Sequence, residues 1–132
     1  MNSILKQFIK HLTVGENEVV LLDMEAGVEH FGRGVDNSVD LILMIVDPSF
    51  ESLKLTKKIQ QLRESIGKTV VFVLNKVNEL VLPTMLESID DQSKVLAVIS
   101  TDTEIARKGL VGDELMMEIP EIHMLARKIL KQ

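Results

Sequence analysis

The stretch that decides the fold is "VDLILMIVDPSFESLKLTKKIQQL", residues 39–62. Its opening, "VDLILMIVD" (39–47), holds a continuous apolar run of strand length. A strand with one wet face alternates apolar and polar residues, so an unbroken run marks a strand covered on both faces, as in parallel sheets. Pro48 stops that strand, and Ser49 offers a hydroxyl at the N-cap of a following helix. Leu55, Ile59, Leu62 and Ile66 then recur at spacings of four, three and four, which makes one apolar stripe. Gly67 suits the helix C-terminus. A buried strand running into an amphipathic helix is the repeating unit of an α/β domain.

The same unit recurs on both sides. Downstream, "TVVFVLN" (69–75) and "KVLAVIS" (94–100) read as further strands. Between them, residues 79–90 read as a short helix with Pro83 in its first turn or before it. Thr101 and Glu104 fit a capping box for a brief helix that ends near Gly109 or Gly112. A last helix starts at about Pro120, with Ile122, Leu125, Ala126 and Ile129 as its apolar stripe. Upstream, Ile4, Leu5, Phe8, Ile9 and Leu12 give a helix over 3–12, "GENE" (15–18) a turn, and "VVLLD" (19–23) one more buried strand. The pattern predicts a single α/β domain over 1–132, with a parallel sheet of about four strands flanked by helices.

Composition narrows the function classes. The chain has 132 residues, is 45% hydrophobic and 27% charged, and carries a net charge of -5, the profile of a folded globular domain. Its Lys and Arg residues are scattered, which argues against a nucleic-acid partner, since that needs clustered positive charge. Aromatic residues are 3% and all Phe, so base-stacking platforms are not expected either. With no cysteine, disulfides and thiolate metal sites are excluded. The longest apolar runs, "LILMIV" and "VVFVL", are too short to span a bilayer, and "MNSILKQFIKHL" lacks the apolar core of a signal peptide. The reading is of a cytoplasmic protein with no membrane partner.

In parallel α/β sheets, ligands bind beyond the carboxyl ends of the strands. The residues expected there are Asp23 to Gly34, Asp47 to Ser49, Asn75 to Asn78, and Ser100 to Thr103. Asp23 closes an apolar run, where a carboxylate either holds water on Mg²⁺ beside a phosphate or caps its own loop. Gly27 either gives its amide to a phosphate oxygen or merely permits a positive φ. Asn75 either reads an adenine edge, its amide being donor and acceptor at once, or satisfies its own turn. Glu25, Glu29 and His30 fall within six residues of one another, but a loop fixes no ligand geometry, so a solvated loop edge is the better reading and no metal site is predicted. Asp47-Pro48-Ser49 is assigned to the strand-to-helix turn. A phospho-receiver reading finds its residue types in Asp47, Ser100 and Lys76, but Lys76 precedes Ser100 and no acidic pair precedes Asp47 on an earlier strand.

A family resemblance sharpens these alternatives. "DMEAGVEHFGRGVDNSVDLILMIVDPSFESLKLTKKIQQL", from Asp23, resembles the switch region and following βα unit of the CooC-type ATPases. These are carbon monoxide dehydrogenase maturation factors in the MinD/ParA-like branch of P-loop ATPases. The pattern D-x-x-A-G-x-E-H-x-G-R-G, here Asp23 to Gly34, is specific to that group, whereas a bare D-x-x-A-G marks only the wider branch. "VVFVLNKV" resembles the family's adenine-side strand, and "AVISTDTEIARKGLVGDEL" its late loop, with Thr101 in place of the usual proline. The resemblance runs from about Leu5 to the C-terminus.

It implies an incomplete P-loop NTPase fold of the SIMIBI/MinD-like kind and a role in nickel insertion into carbon monoxide dehydrogenase. It implies ATP and Mg²⁺ as cofactors of the family. By position, Asp23 resembles the aspartate acting on Mg²⁺ through water, and Gly27 the γ-phosphate-sensing glycine. Asn75, with Lys76 after it, matches the adenine-reading asparagine. Thr101 and Asp102 fall where the late loop closes over the base. The family's glycine-rich K-G-G-x-G-K-T and its metal-binding Cys-x-Cys are not among these residues. The chain thus resembles the C-terminal half of such a protein. It is expected to retain no cofactor alone, to be inactive as an ATPase by itself, and to self-associate or pair with a P-loop-bearing partner chain. In the family's fold the P-loop strand lies between the strands ending at Asp23 and Asp47, so either those two strands pair directly or another chain fills the gap. A naturally truncated, non-catalytic interaction module is one alternative, and a receiver-like switch phosphorylated at Asp47 is the other.

Overall fold

The computed structural model describes residues 7, 11–16, 18–24, 39–62 and 67–130. Its elements run β1 (Leu41–Val46), α1 (Phe50–Gln61), β2 (Thr69–Val77), α2 (Leu82–Glu87), a 3₁₀ turn (Gln92–Lys94), β3 (Val95–Ser100), α3 (Thr103–Val111) and α4 (Pro120–Ile129). The strands form one sheet in the order β1-β2-β3, and both pairings are parallel. Parallel neighbours need a crossover between them, which α1 supplies between β1 and β2. The fold is the expected α/β arrangement of a parallel sheet flanked by helices.

Alternation along the strands divides the core into two layers. Ile42, Met44 and Val46 of β1 join Val70, Phe72 and Leu74 of β2 on one face, against Ile59 of α1 and Met85 of α2. Val71 and Val73 of β2 and Leu96 of β3 form the other layer, under Leu125 and Ile129 of α4. Val70 to Leu74 are buried without a break, as the unalternating sequence run requires. The Lys128 ammonium donates to the Leu96 carbonyl at 2.5 Å and anchors α4 to β3. On the opposite face, Gln60 of α1 donates to the Ser88 carbonyl and accepts from the Asp90 amide, both at 2.8 Å. That bridge ties α1 to the segment after α2.

Local signals act largely as the sequence implies. The Ser49 hydroxyl accepts from the Ser52 amide and caps α1. Pro83 lies in the first turn of α2 and Pro120 opens α4. Gly112, at φ 74°, ends α3 in the left-handed conformation that glycine adopts without penalty. Gly67 also has a positive φ, though α1 closes at Gln61. Of the helix expected over 3–12, Gln7, His11 and Leu12 are described, of which the first two are helical and Leu12 is not.

Three expectations are corrected. Among the described residues the sheet has three strands, and Val19–Asp23 is not a fourth. That segment is irregular, and Leu21 is 83% exposed. An apolar run becomes a strand only against a neighbour that takes its ladder hydrogen bonds, and these residues do not pair with β1. Second, α3 is capped by Asp102 and not by Thr101. The Asp102 Oδ1 accepts from the amides of Glu104 (2.7 Å) and Ile105 (3.0 Å), while the Thr101 amide is bound to the Val77 carbonyl at 2.8 Å. Third, the α4 stripe is narrower than expected: Leu125 and Ile129 pack on the sheet, but Ile122 and Ala126 are exposed.

The cap assignment is testable. Asp102→Ala is expected to lower stability by about 0.5–2 kcal/mol, the usual loss of an N-cap side chain, and Thr101→Ala by less than about 0.5 kcal/mol. Denaturant unfolding of the two variants separates the assignments, because the order reverses if Thr101 is the cap.

Candidate functional site at the carboxyl ends of the strands

The register of the sheet decides which residues meet. Val46, the last residue of β1, is paired with Leu74 of β2. The next residue on each chain, Asp47 and Asn75, therefore emerges at the same end of the sheet. β3 ends there too, with Ser100 against Val77, followed by Thr101 and Asp102.

The Asp47 carboxylate is the centre of this end. Its Oδ1 accepts from the Asn75 side-chain Nδ2 at 2.9 Å, and its Oδ2 accepts from the Lys76 ammonium at 2.6 Å. The turn holds the Asp47 backbone as well: its amide donates to the Ser52 hydroxyl, and its carbonyl accepts from the Ser49 amide at 2.8 Å. Asp47 thus couples the β1–α1 turn to the end of β2.

Adjacent residues of a regular strand point to opposite faces, yet Asn75 and Lys76 reach the same carboxylate. The reason is a bulge. Leu74 pairs with Val98 and Val77 with Ser100, so two residues of β2 oppose one of β3. Lys76 takes up the extra length at φ 55°, the left-handed region that costs a non-glycine residue about 1–2 kcal/mol. The bulge also resets the alternation beyond it. Leu74 and Val77 are an odd number of positions apart and still lie in the same core layer. An earlier shift between Phe72 and Val73 puts the extra residue, Leu96, on β3, so the two irregularities offset one another.

Of the other expected site residues, Asn78 is a turn former, its Oδ1 accepting from the amides of Leu80 and Val81. Thr101 is tied by its amide to β2, and Asp102 is occupied in capping α3. Asp23 is exposed in the irregular segment, and no hydrogen bond or ion pair among the described residues joins it to Asp47. Gly27 lies outside the described residues, as do Glu25, Glu29 and His30. The described residues contain no cluster of three metal-ligating side chains. None of their helices is long and apolar enough to cross a membrane. A depression lined by Gly67, Lys68, Thr69 and Lys94 opens at the amino end of β2, away from this group. The residue that sequence reasoning undervalued is Asp47, assigned to the strand-to-helix turn and weighed otherwise only in the phospho-receiver reading. Its signal was an aspartate closing the strand next to the one that ends in Asn75.

The fold and this end of the sheet define a class: a parallel α/β domain whose polar side chains gather at the carboxyl ends of its strands, where such domains bind ligands. No family model matches the chain. It is 45% identical over 122 residues to an uncharacterized ATP-binding protein of Methanocaldococcus jannaschii, covering 92% of this chain and 49% of that protein. A second uncharacterized ATP-binding protein of that organism is 31% identical, covering 87% of this chain and 46% of its own. The carbon monoxide dehydrogenase accessory protein CooC of Rhodospirillum rubrum is 33% identical over 112 residues, covering 84% of this chain and 43% of CooC. The chain spans about half the length of the relatives it matches. Over that half, it is a homologue of these ATP-binding proteins and of CooC.

The bulge gives a prediction. The Lys76–Asp47 pair is solvent-exposed (63% and 38% for the two side chains), and such pairs contribute about 0–1 kcal/mol. Relief of the left-handed backbone offsets that loss, so Lys76→Gly is expected to leave stability within about 0.5 kcal/mol of the parent or to raise it. Lys76→Val loses the pair and puts a β-branched residue at positive φ, so it is expected to cost about 1–2 kcal/mol more than Lys76→Gly. Urea denaturation of both variants checks this, and equal stability of the two would refute a strained Lys76.

Proposed function

We propose that this chain is the base-side part of a CooC-like nucleotide-binding protein that assists nickel insertion into carbon monoxide dehydrogenase. The observation that carries the reading is the similarity to ATP-binding relatives over a segment whose strands bring Asp47, Asn75, Lys76, Thr101 and Asp102 to one end of the sheet. In this reading Asn75 takes the adenine edge and Lys76 stands beside it. The loop from Thr101 to Asp102 closes over the base, its shape fixed by the Thr101 amide bond and the Asp102 cap. Asp23 acts on Mg²⁺ through water and Gly27 senses the γ-phosphate.

Phosphoryl transfer needs amides and a lysine around the β- and γ-phosphates, and the glycine-rich loop that supplies them is not among these 132 residues. The chain by itself therefore lacks the groups that stabilise the transition state. The purified chain is expected to release no phosphate from ATP above a no-protein control and to bind nucleotide only weakly, through the base contact. Turnover by the chain alone would overturn this.

A partner is part of the same proposal. Val19, Val20 and Leu21 are exposed, and β1 is bonded to β2 along one edge. Open apolar edges recruit another strand. The occupant is a chain bearing the P-loop, or a second copy of this one. Light scattering is expected to give a mass above the 14.8 kDa of the monomer, or to do so once a P-loop-bearing partner is added. A monomer under both conditions contradicts it. A second reading, a non-catalytic interaction module, predicts partner binding without nucleotide.

A further inference from the structure

We infer that Asp47 is a positioning residue that sets base specificity by fixing the orientation of the Asn75 amide. The inference rests on the proposed reading of Asn75 as the base contact, and it adds a residue and a selection rule to it. A carboxylate only accepts hydrogen bonds, so the atom of Asn75 that faces Asp47 Oδ1 at 2.9 Å is the Nδ2 donor. The two ends of the amide are thereby distinguished. Nδ2 is turned toward the protein, and the carbonyl Oδ1, which has no partner among the described residues, is left as the free acceptor.

An acceptor presented at this end of the sheet suits an exocyclic amine, as on adenine. It repels the carbonyl that guanine carries at the corresponding position. Without Asp47 the amide is free to turn over and present its donor instead, and the discrimination goes.

Lys76 completes the arrangement. The bulge brings its ammonium to the other carboxylate oxygen at 2.6 Å, so Asp47 is held from two sides, and Ser52 holds its backbone amide. Asp47 is half-buried and Asn75 is half-buried, so the amide is both constrained and reachable. The carboxylate acts on the base through Asn75 and does not touch it.

The test uses the purified chain, ¹⁵N-labelled, with adenosine and guanosine as probes, because a nucleoside needs no phosphate cradle. In the free chain one Nδ2 proton of Asn75 is expected to lie downfield of its usual side-chain amide position and to exchange with water more slowly than its twin. Ordinary solvent-exposed shifts and fast exchange for both protons would overturn the inference without recourse to any variant. Adenosine is expected to shift the Asn75 side-chain resonances with an affinity at least about fivefold above that of guanosine. Asp47→Asn, whose carbonyl can accept the same bond, is expected to keep most of that preference, and Asp47→Ala to reduce it to within about twofold. An undiminished preference in Asp47→Ala overturns the role of Asp47 and leaves the base contact standing. No response to either nucleoside at millimolar concentration in the parent chain overturns the base contact and this inference together, so the two failures are distinct.

Discussion

Strand β2 is hydrogen-bonded along both edges and covered on both faces, and the rest of the structure depends on that double burial. Val70, Phe72 and Leu74 carry the layer under α1 and α2, and Val71 and Val73 carry the layer under α4. No other described element contributes to both layers to this extent. A strand in that position must run the same way as its neighbours when each crossover returns the chain to the starting end. The carboxyl ends then collect at one side. Asp47, Asn75, Lys76 and Thr101 come together because of this topology, although up to 54 positions separate them in the chain.

Much of this was legible in the sequence, and the reasons are local. "LILMIV" and "VVFVL" lack alternation, which only a twice-covered strand tolerates. Ser49 and Pro120 each act through groups within a few residues of themselves, so their roles as cap and helix start could be read directly, and the helix stop could be narrowed to Gly109 or Gly112. What was not legible depends on partners distant in the chain. Thr101 and Asp102 are both good N-cap types, and the choice between them is made by a bond from the Thr101 amide to Val77 on β2. "VVLLD" has a strand's composition without a strand's neighbour, and composition cannot supply a ladder. The bulge at Asn75-Lys76 arises from the pairing of β2 with β3, and nothing in "LNKV" announces it.

The candidate site shows how a residue with an ordinary local purpose comes to matter. An aspartate before Pro-Ser at the end of a strand is a natural turn former. Here the Val46–Leu74 pairing gives the same side chain a second set of neighbours on the next strand. One carboxylate then serves the turn through its backbone and the amide and ammonium through its two oxygens. The polar end of the sheet is organised around an acceptor, and each donor that reaches it is supplied by β2.

The bulge makes this part of the chain more sensitive to length than to identity. A one-residue deletion within Asn75-Lys76 would turn Val77 from the layer it shares with Leu74 toward the opposite one, and would carry the Thr101 amide away from the Val77 carbonyl. Substitution at Lys76 leaves that phase intact. Among homologous chains, this junction should therefore vary in residue type while insertions and deletions gather elsewhere, in the connections after α2 and α3. A gap placed by an alignment at this junction would be a sign of misalignment.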